Sequence, residues 1–143
     1  MQDKYIIYFI SKTKKRMTKF LEKKLNEYDL GDLIPSHGNI LTVLYENNNK
    51  LTMKEIANKV GKDKSTITSL INKLIKLGYV TKETNPKDKR VSFIILTDKG
   101  KSIESKYNKI CDEVSLTAYN GFSDEEKEVF LKLLKKLSTN FKS

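Results

Sequence analysis

The segment that decides the fold spans residues 51–96 and reads LTMKEIANKVGKDKSTITSLINKLIKLGYVTKETNPKDKRVSFIIL. Its first part has apolar residues at three- and four-residue spacings, which predict two amphipathic helices separated by Gly61. Gly78 ends the second helix, because glycine adopts the left-handed conformation of a helix C-cap without strain. β-branched and aromatic residues then flank a turn-forming segment, and this pattern predicts a β-hairpin with strands at 79–84 and 91–96.

Both helices of this segment follow residues that suit a helix start. Thr52 and Glu55 have the spacing of a capping box, in which each side chain accepts a hydrogen bond from an unpaired backbone N–H. Asp63 is a favourable N-cap residue for the next helix. A third helix of the chain is therefore predicted after Thr52, and a fourth after Asp63.

The order of short helix, tight turn, amphipathic helix and basic hairpin is typical of a winged helix-turn-helix. The short helix braces the second one, which places polar residues against base edges in the major groove of DNA. The candidate reading residues on the fourth helix are Lys64, Ser65, Thr66, Thr68, Ser69, Asn72 and Lys73. Serine, threonine and asparagine suit bases, and lysine suits phosphates. A merely solvated helix face has the same composition, so this face alone leaves both interpretations open.

The tip of the hairpin favours DNA. Lys87, Lys89 and Arg90 lie next to the reading helix, where a wing places them along the DNA backbone or inserts Arg90 into a narrow minor groove. Surface hairpins often carry lysine, but the polar helix face and the basic tip together are more specific than either alone. The predicted partner is double-stranded DNA.

Further helices are predicted on both sides of this segment. Residues 5–28 form a long amphipathic helix that Gly31 ends, and Pro35 suits the first turn of a second helix. Thr97 caps a fifth helix, and a second capping box at Ser123 opens a last one. The chain is therefore mainly helical on either side of the wing.

The first and last helices carry more apolar surface than a monomer of this size covers. A two-fold dimer buries that surface and presents two reading helices to two half-sites. The alternative is that these helices pack on their own domain. We predict a mainly α fold with a small β-hairpin wing, in three parts: an N-terminal dimerisation helix (1–34), a winged helix-turn-helix DNA-binding domain (35–100) and C-terminal dimerisation helices (101–143).

Composition bounds the class of protein. The net charge of +10 and the pI near 9.5 favour a polyanionic partner, although a chain rich in Lys, Asn and Ile also reflects an AT-rich genome. The single cysteine, Cys111, excludes an internal disulfide, and we expect its thiol to be buried. Without a signal peptide or a run of about 18 apolar residues, the predicted location is the cytoplasm, with no membrane partner.

Residues 52–100 resemble the winged helix-turn-helix of the MarR (multiple antibiotic resistance regulator) family, and the flanking helices lie where that family has its dimerisation region. The most specific match is Asp-Lys-Arg at 88–90, which has the form of the family's Asp-x-Arg wing signature. The resemblance implies that Asp88 orients Arg90 through an ion pair. Arg90 is then the residue that reaches toward the minor groove.

The sequence departs from the family at two places. Ser69 stands where many members have arginine in the reading helix, so the family's base preference does not carry over. Ile34 stands where Ser or Thr commonly caps the second helix, so we expect that helix start to be less firmly fixed.

The resemblance implies a homodimeric regulator, usually a repressor, that binds an inverted-repeat operator and is released by a small-molecule effector. Phe20, His37 and Tyr45 are the candidate pocket residues for that effector. A single histidine excludes a zinc cluster of several imidazoles, and no catalytic set or phosphate-binding loop is visible, so we expect no metal, cofactor or catalysis. Two alternatives stay open: a basic protein that coats DNA without sequence preference, and a winged domain that contacts proteins.

Overall fold

A computed structural model describes residues 3–142 of the chain. These residues form a mainly helical structure with one small antiparallel sheet, which confirms the predicted fold class. After a 3-10 helix at Asp3–Tyr5, the helices are α1 (Ile6–Glu27), α2 (Pro35–Tyr45), α3 (Met53–Val60), α4 (Lys64–Leu77), α5 (Asp98–Ser102), α6 (Glu104–Ala118) and α7 (Asp124–Asn140). The strands are β1 (Lys50–Thr52), β2 (Val80–Asn85) and β3 (Asp88–Leu96). Within the described residues, no helix is both long and apolar enough to cross a membrane.

The chain divides into two compact units, one up to Ile110 and one from Cys111 onward. The predicted parts 1–34, 35–100 and 101–143 describe roles rather than compact units, and this assignment of roles stays a prediction. The buried core that the described residues form lies in the first unit. Cys111 is exposed, so the expectation of a buried thiol was wrong. Its neighbours on α6 led to that error, since Tyr107 and Ile110 are buried whereas Cys111 lies on the outer face.

One apolar core joins α2, α3, α4 and the sheet. Its fully buried side chains include Ile40, Leu41, Leu44, Ile56, Ile71, Leu74 and Ile94. Burial of each such side chain stabilises the fold by roughly 1.5–3 kcal/mol. Because α4 contributes its apolar face to this core, its polar face is fixed on the outside of the unit.

The predicted starts and ends of α3 and α4 are confirmed. The Thr52 hydroxyl accepts the Glu55 N–H at 3.1 Å, and Glu55 Oε1 accepts the Thr52 N–H at 3.0 Å. Gly61 and Gly78 take φ values of 74° and 89° at the C-caps, in the left-handed region that favours glycine. The turn between the two helices is thus set by local chemistry at both ends.

The sheet has three strands in the order β1-β3-β2, not the single hairpin that was predicted. β1 pairs antiparallel with β3 and aligns Leu51 with Ile94. It was missed because a strand of three residues beside a polar run has no visible alternation. β3 also begins at Asp88, three residues earlier than predicted, so Lys89 and Arg90 lie on β3 rather than in a loop.

Two other helix boundaries differ from the prediction. Gly31 does not end α1, because the helix ends at Glu27 and Asp29 takes the positive φ of 59°. The predicted fifth helix is two helices, interrupted at Ile103. Apolar positions continue in phase across this interruption, so the sequence pattern gave no sign of it. Thr97 does cap the first of the two, accepting the Gly100 N–H at 3.1 Å.

Candidate nucleic-acid interface

The outer face of α4 brings together five of the seven candidate reading residues. An open depression on this face is lined by Lys64, Ser65, Thr68, Ser69 and Asn72. Thr66 and Lys73 do not line it: Thr66 is half-buried, and Lys73 lies where its charge acts on His37. The depression is open to solvent, so the side chains that line it are accessible to a partner.

Hydrogen bonds at the start of α4 hold two of these side chains. Asp63 Oδ1 accepts the Thr66 N–H at 2.8 Å and the Ser65 hydroxyl at 2.9 Å. These bonds, the backbone one first, lower the pKa of the Asp63 carboxyl. The Thr68 hydroxyl donates to the Lys64 carbonyl one turn earlier, at 2.8 Å. Both side-chain oxygens therefore keep lone pairs available to a partner, while their hydrogens are used within the helix.

The wing tip is a two-residue turn at Pro86 and Lys87. Asn85 pairs with Asp88 across the turn, after an irregularity in register between Thr84 and Asn85. The Asn85 carboxamide oxygen accepts the Lys87 N–H at 2.9 Å, which is the Asx-turn arrangement expected of asparagine at such a position. The turn is thus held by its own side chain and projects the residues that follow it.

Asp88 and Arg90 form a fork at the wing. Arg90 Nε donates to Asp88 Oδ1 at 3.0 Å and Nη2 donates to Oδ2 at 3.3 Å, while the Arg90 N–H donates to Oδ1 at 3.1 Å. The side-chain bonds to Arg90 come first among the causes that lower the pKa of Asp88. The Arg90 side chain is nevertheless 91% exposed, so its guanidinium is oriented but open to a partner.

Charge on the winged segment favours an anion. Residues 52–97 carry ten lysine and arginine residues against four acidic ones. Three of those four, Glu55, Asp63 and Asp88, accept hydrogen bonds within the segment itself. Lysine and arginine pair with DNA phosphates, and this electrostatic contribution dominates affinity.

Sequence analysis missed the role of His37 as a helix cap. Ile34 offers no side-chain cap to α2, but His37 Nδ1 accepts the Ile34 N–H at 3.1 Å. His37 is only 2% exposed, and burial, followed by the charge of Lys73, lowers its pKa, whereas Asp32 acts in the opposite direction. The imidazole is therefore neutral, with its proton on Nε2. That nitrogen is buried and has no hydrogen-bond partner within residues 3–142.

The other two candidate pocket residues have different surroundings. The Tyr45 hydroxyl donates to the Gly100 carbonyl at 2.7 Å, and burial raises the pKa of the Tyr45 phenol. Phe20 is half-buried, with Lys24 Nζ 5.4 Å from its ring centroid. The depression on α4 is not lined by Phe20, His37 or Tyr45. Their assignment to one effector pocket stays a prediction.

A second contact was also not visible in the sequence. The Tyr79 hydroxyl donates to both carboxylate oxygens of Asp32, at 2.9 and 3.0 Å. It links the connection before α2 to the residue that precedes β2, 47 residues apart in sequence. This bond fixes the position of that connection against the wing.

Comparisons with known proteins find similar chains. A model of the MarR family matches residues 31–91 of the chain. The chain is similar to the HTH-type transcriptional regulator SarZ of Staphylococcus aureus (strain USA300), with 33% identity over 125 residues that cover 87% of this chain and 79% of SarZ.

Solved structures give the same match over almost the whole chain. A MarR protein from Peptoclostridium difficile is 30% identical with a TM-score of 0.84, covering 98% of this chain and 89% of that one. The structure of reduced AbfR bound to DNA is 25% identical with a TM-score of 0.78, covering 97% and 94%. The similarity therefore extends beyond the winged segment to the flanking helices.

Proposed function

The chain belongs to the MarR family of DNA-binding transcriptional regulators, and we propose that it is a homodimeric repressor that binds an inverted-repeat operator. The observation that carries the proposal is the Asp88–Arg90 fork, which holds an exposed guanidinium on β3 next to the tip of a basic wing. A similar chain, AbfR, has been solved bound to DNA. The proposed function is binding and regulation rather than catalysis.

We assign the DNA contacts to two surfaces. The reading surface is the outer face of α4 with Lys64, Ser65, Thr66, Thr68, Ser69, Asn72 and Lys73, and it enters the major groove. The wing contributes Lys87, Asp88, Lys89 and Arg90. Lysines neutralise phosphates, and Arg90 reaches into the minor groove, where a fixed guanidinium loses less entropy on docking than a free one.

Exposed apolar side chains at the start of α1 support dimerisation. Six consecutive apolar residues, Tyr5 to Ile10, are each at least 45% exposed. Exposed apolar surface of this extent is unusual on a monomer and marks an interaction site. A two-fold partner that covers it also pairs two reading helices with two half-sites.

The last helix gives separate support. α7 has no buried residue, and its exposed apolar side chains include Val129, Phe130, Leu133 and Leu134. We therefore assign 1–34 and 101–143 to dimerisation and 35–100 to DNA binding.

We place the effector site at His37, with Phe20 and Tyr45 as further candidate contacts. The buried Nε2–H of His37 lacks a partner within the described residues, and an unpaired buried donor costs about 1–3 kcal/mol. An acceptor on a small anionic or phenolic ligand relieves that cost. Such a ligand releases DNA if it binds the DNA-free conformation more tightly.

Selection of bound duplexes from a random DNA pool, at about physiological salt, tests the function. We expect an inverted repeat with half-site centres about one helical turn apart. Salt screens purely electrostatic binding, so recovery of DNA with no common sequence favours a protein that coats DNA. A failure to bind any duplex favours a winged domain that contacts proteins.

The role of the fork is tested by two variants that raise the net charge equally. Asp88→Ala frees Arg90, whereas Glu83→Ala removes an exposed carboxylate from β2 of the same hairpin. If orientation matters, Asp88→Ala weakens operator binding while Glu83→Ala strengthens it slightly. Tighter binding by both variants means that charge alone acts.

Arg90→Ala completes the set. We expect it to weaken operator binding and to reduce the log–log salt slope by about one. Lys132→Ala on α7 removes the same charge outside the proposed interface, and its affinity and slope should match those of the wild type. Unchanged binding by Arg90→Ala removes the wing from the mechanism.

A further inference from the structure

We propose that the reading face of α4 selects A·T base pairs in each half-site, with Asn72 bonding adenine and Thr68 contacting the thymine methyl. This inference rests on the proposed function, because it names the bases that the same surface reads. Two observations support it: the Ser65 and Thr68 hydroxyl hydrogens are already used in hydrogen bonds at α4, and α4 contains no arginine.

Two hydroxyl groups on the reading face have no hydrogen to offer a base. The Ser65 hydroxyl donates to Asp63 Oδ1 at 2.9 Å, and the Thr68 hydroxyl donates to the Lys64 carbonyl at 2.8 Å. Each oxygen therefore meets a base edge as an acceptor. The methyl group of Thr68 takes no part in this bonding and is available for apolar contact.

The major groove presents different groups at the two kinds of base pair. An A·T pair shows the N6 amino group of adenine and the methyl group of thymine, while a G·C pair shows guanine N7 and O6 as acceptors and the N4 amino group of cytosine. Acceptor oxygens on Ser65 and Thr68 face lone pairs when they meet guanine. They face a donor when they meet the amino group of adenine or of cytosine. The hydroxyl geometry of α4 thus disfavours guanine, and the thymine methyl, which only an A·T pair offers, favours A·T pairs at Thr68.

α4 also lacks the side chain that most often recognises guanine. It contains no arginine, and Ser69 lies on its exposed face between Ser65 and Asn72. Lys64 does line the depression, but a flexible ammonium at the first helical position binds phosphate as a point charge. The helix therefore has no fixed fork for guanine N7 and O6.

Asn72 supplies the positive contact. It is exposed, lines the depression, and its carboxamide makes no hydrogen bond within the part of the chain that the structure describes. A carboxamide carries one acceptor and two donors, and it matches the N6 amino group and N7 of adenine in a bidentate pair. Ser69 next to it is small enough to let Asn72 approach a base edge.

The wing points to the same base composition independently of α4. Arg90 is the one arginine of the winged segment, and its guanidinium is held by Asp88 and 91% exposed. Runs of A·T pairs narrow the minor groove and deepen its negative potential, which attracts an inserted arginine. Both surfaces thus favour A·T pairs through different grooves.

The duplex selection described above is the first test. We expect A·T pairs at the half-site positions that face α4. An inverted repeat with G·C pairs at those positions overturns this inference and leaves the proposed function intact. Recovery of DNA with no common sequence overturns both.

The Asn72 contact is tested with the selected operator and with duplexes in which each A·T pair of the half-site is replaced by G·C in turn. We expect Asn72→Ala to weaken binding to the operator at least about fivefold. It should not weaken binding to the duplex in which the A·T pair that Asn72 contacts is replaced by G·C. Lys64→Ala is the matched control, since a phosphate contact is lost equally on every duplex. Equal losses for Asn72→Ala on all duplexes overturn the contact.

The methyl contact is tested from both sides of the interface. Deoxyuridine in place of thymidine removes the methyl from the DNA, and Thr68→Ser removes it from the protein while keeping the hydroxyl. We expect each change to weaken binding about fourfold, and the two together no more than either alone. If the affinity losses from the two changes multiply when both are made, the two methyl groups do not contact each other and this part of the inference is overturned.

Discussion

α3 and α7 begin in the same way and end up in opposite surroundings. The capping box of α3 is Thr52 with Glu55, and that of α7 is Ser123 with Glu126, with all four bonds between 2.9 and 3.1 Å. α3 buries Ile56 completely in the first unit, whereas α7 buries no residue. A capping box therefore fixes where a helix starts but does not determine whether the helix is buried.

The largest expected difference is between two Leu→Ala substitutions. Leu74 in the core around α3 is fully buried and Leu134 on α7 is 42% exposed. Leu74→Ala should lower the free energy of unfolding by about 3 kcal/mol at every protein concentration, because it leaves a cavity. Leu134→Ala should cost little in dilute protein and more in concentrated protein, where we expect the proposed dimer to form.

Urea unfolding at two protein concentrations, with sedimentation to follow the dimer, measures both variants. If Leu134→Ala in dilute protein costs as much as Leu74→Ala, α7 is covered within the monomer. The contrast between α3 and α7 then disappears.

A smaller effect on stability concerns α2, whose start has no Ser or Thr capping box like those of α3 and α7. Its cap acceptor is His37, whose pKa lies below the ordinary value of 6.5. As pH falls through about 6.5, the unfolded chain binds a proton while the folded imidazole stays neutral. The free energy of unfolding therefore falls, by up to about 1 kcal/mol between about pH 7 and about pH 5.5.

His37→Gln should flatten this pH dependence in urea unfolding experiments. Glu55→Gln in the capping box of α3 is the control, because its carboxyl, whose pKa is lowered, changes charge only in more acidic solution. That variant should keep the wild-type dependence on pH. A wild-type stability that does not vary over this range contradicts a neutral, buried His37.

The smallest effect compares the two boxes directly. Thr52→Ala and Ser123→Ala each remove a cap worth about 1 kcal/mol. In α3 the loss should appear in the cooperative unfolding of the first unit. In α7 it should appear as faster amide hydrogen exchange in the first turn of a helix without buried residues. Identical exchange patterns for both variants mean that the two helices are equally packed.

Features formed by neighbouring residues could be predicted from the sequence. The bounds of α3 and α4 depend on caps and glycines within a few positions, and the Asp88–Arg90 fork joins residues two apart. The polar face of α4 follows from helical periodicity, which also placed its apolar residues in the core. These predictions needed no knowledge of tertiary packing.

Features that join distant residues could not be predicted. β1 exists because Leu51 pairs with Ile94, and Tyr79 reaches Asp32 across 47 residues. His37 was missed as a cap because histidine is an uncommon partner at that position of a capping box. Thr66 and Lys73 share the polar side of α4 but not its depression, a difference that only the surroundings of each residue determine.

The order of synthesis gives the division at Ile110 a further meaning. The ribosome completes the N-terminal part of a chain first, and the core around α3 lies within the unit that ends at Ile110. The first unit therefore has all its core residues before α7 emerges. α7 follows that core with its apolar side chains exposed, so the proposed dimer predicts that a newly made subunit is most prone to aggregate before it meets its partner.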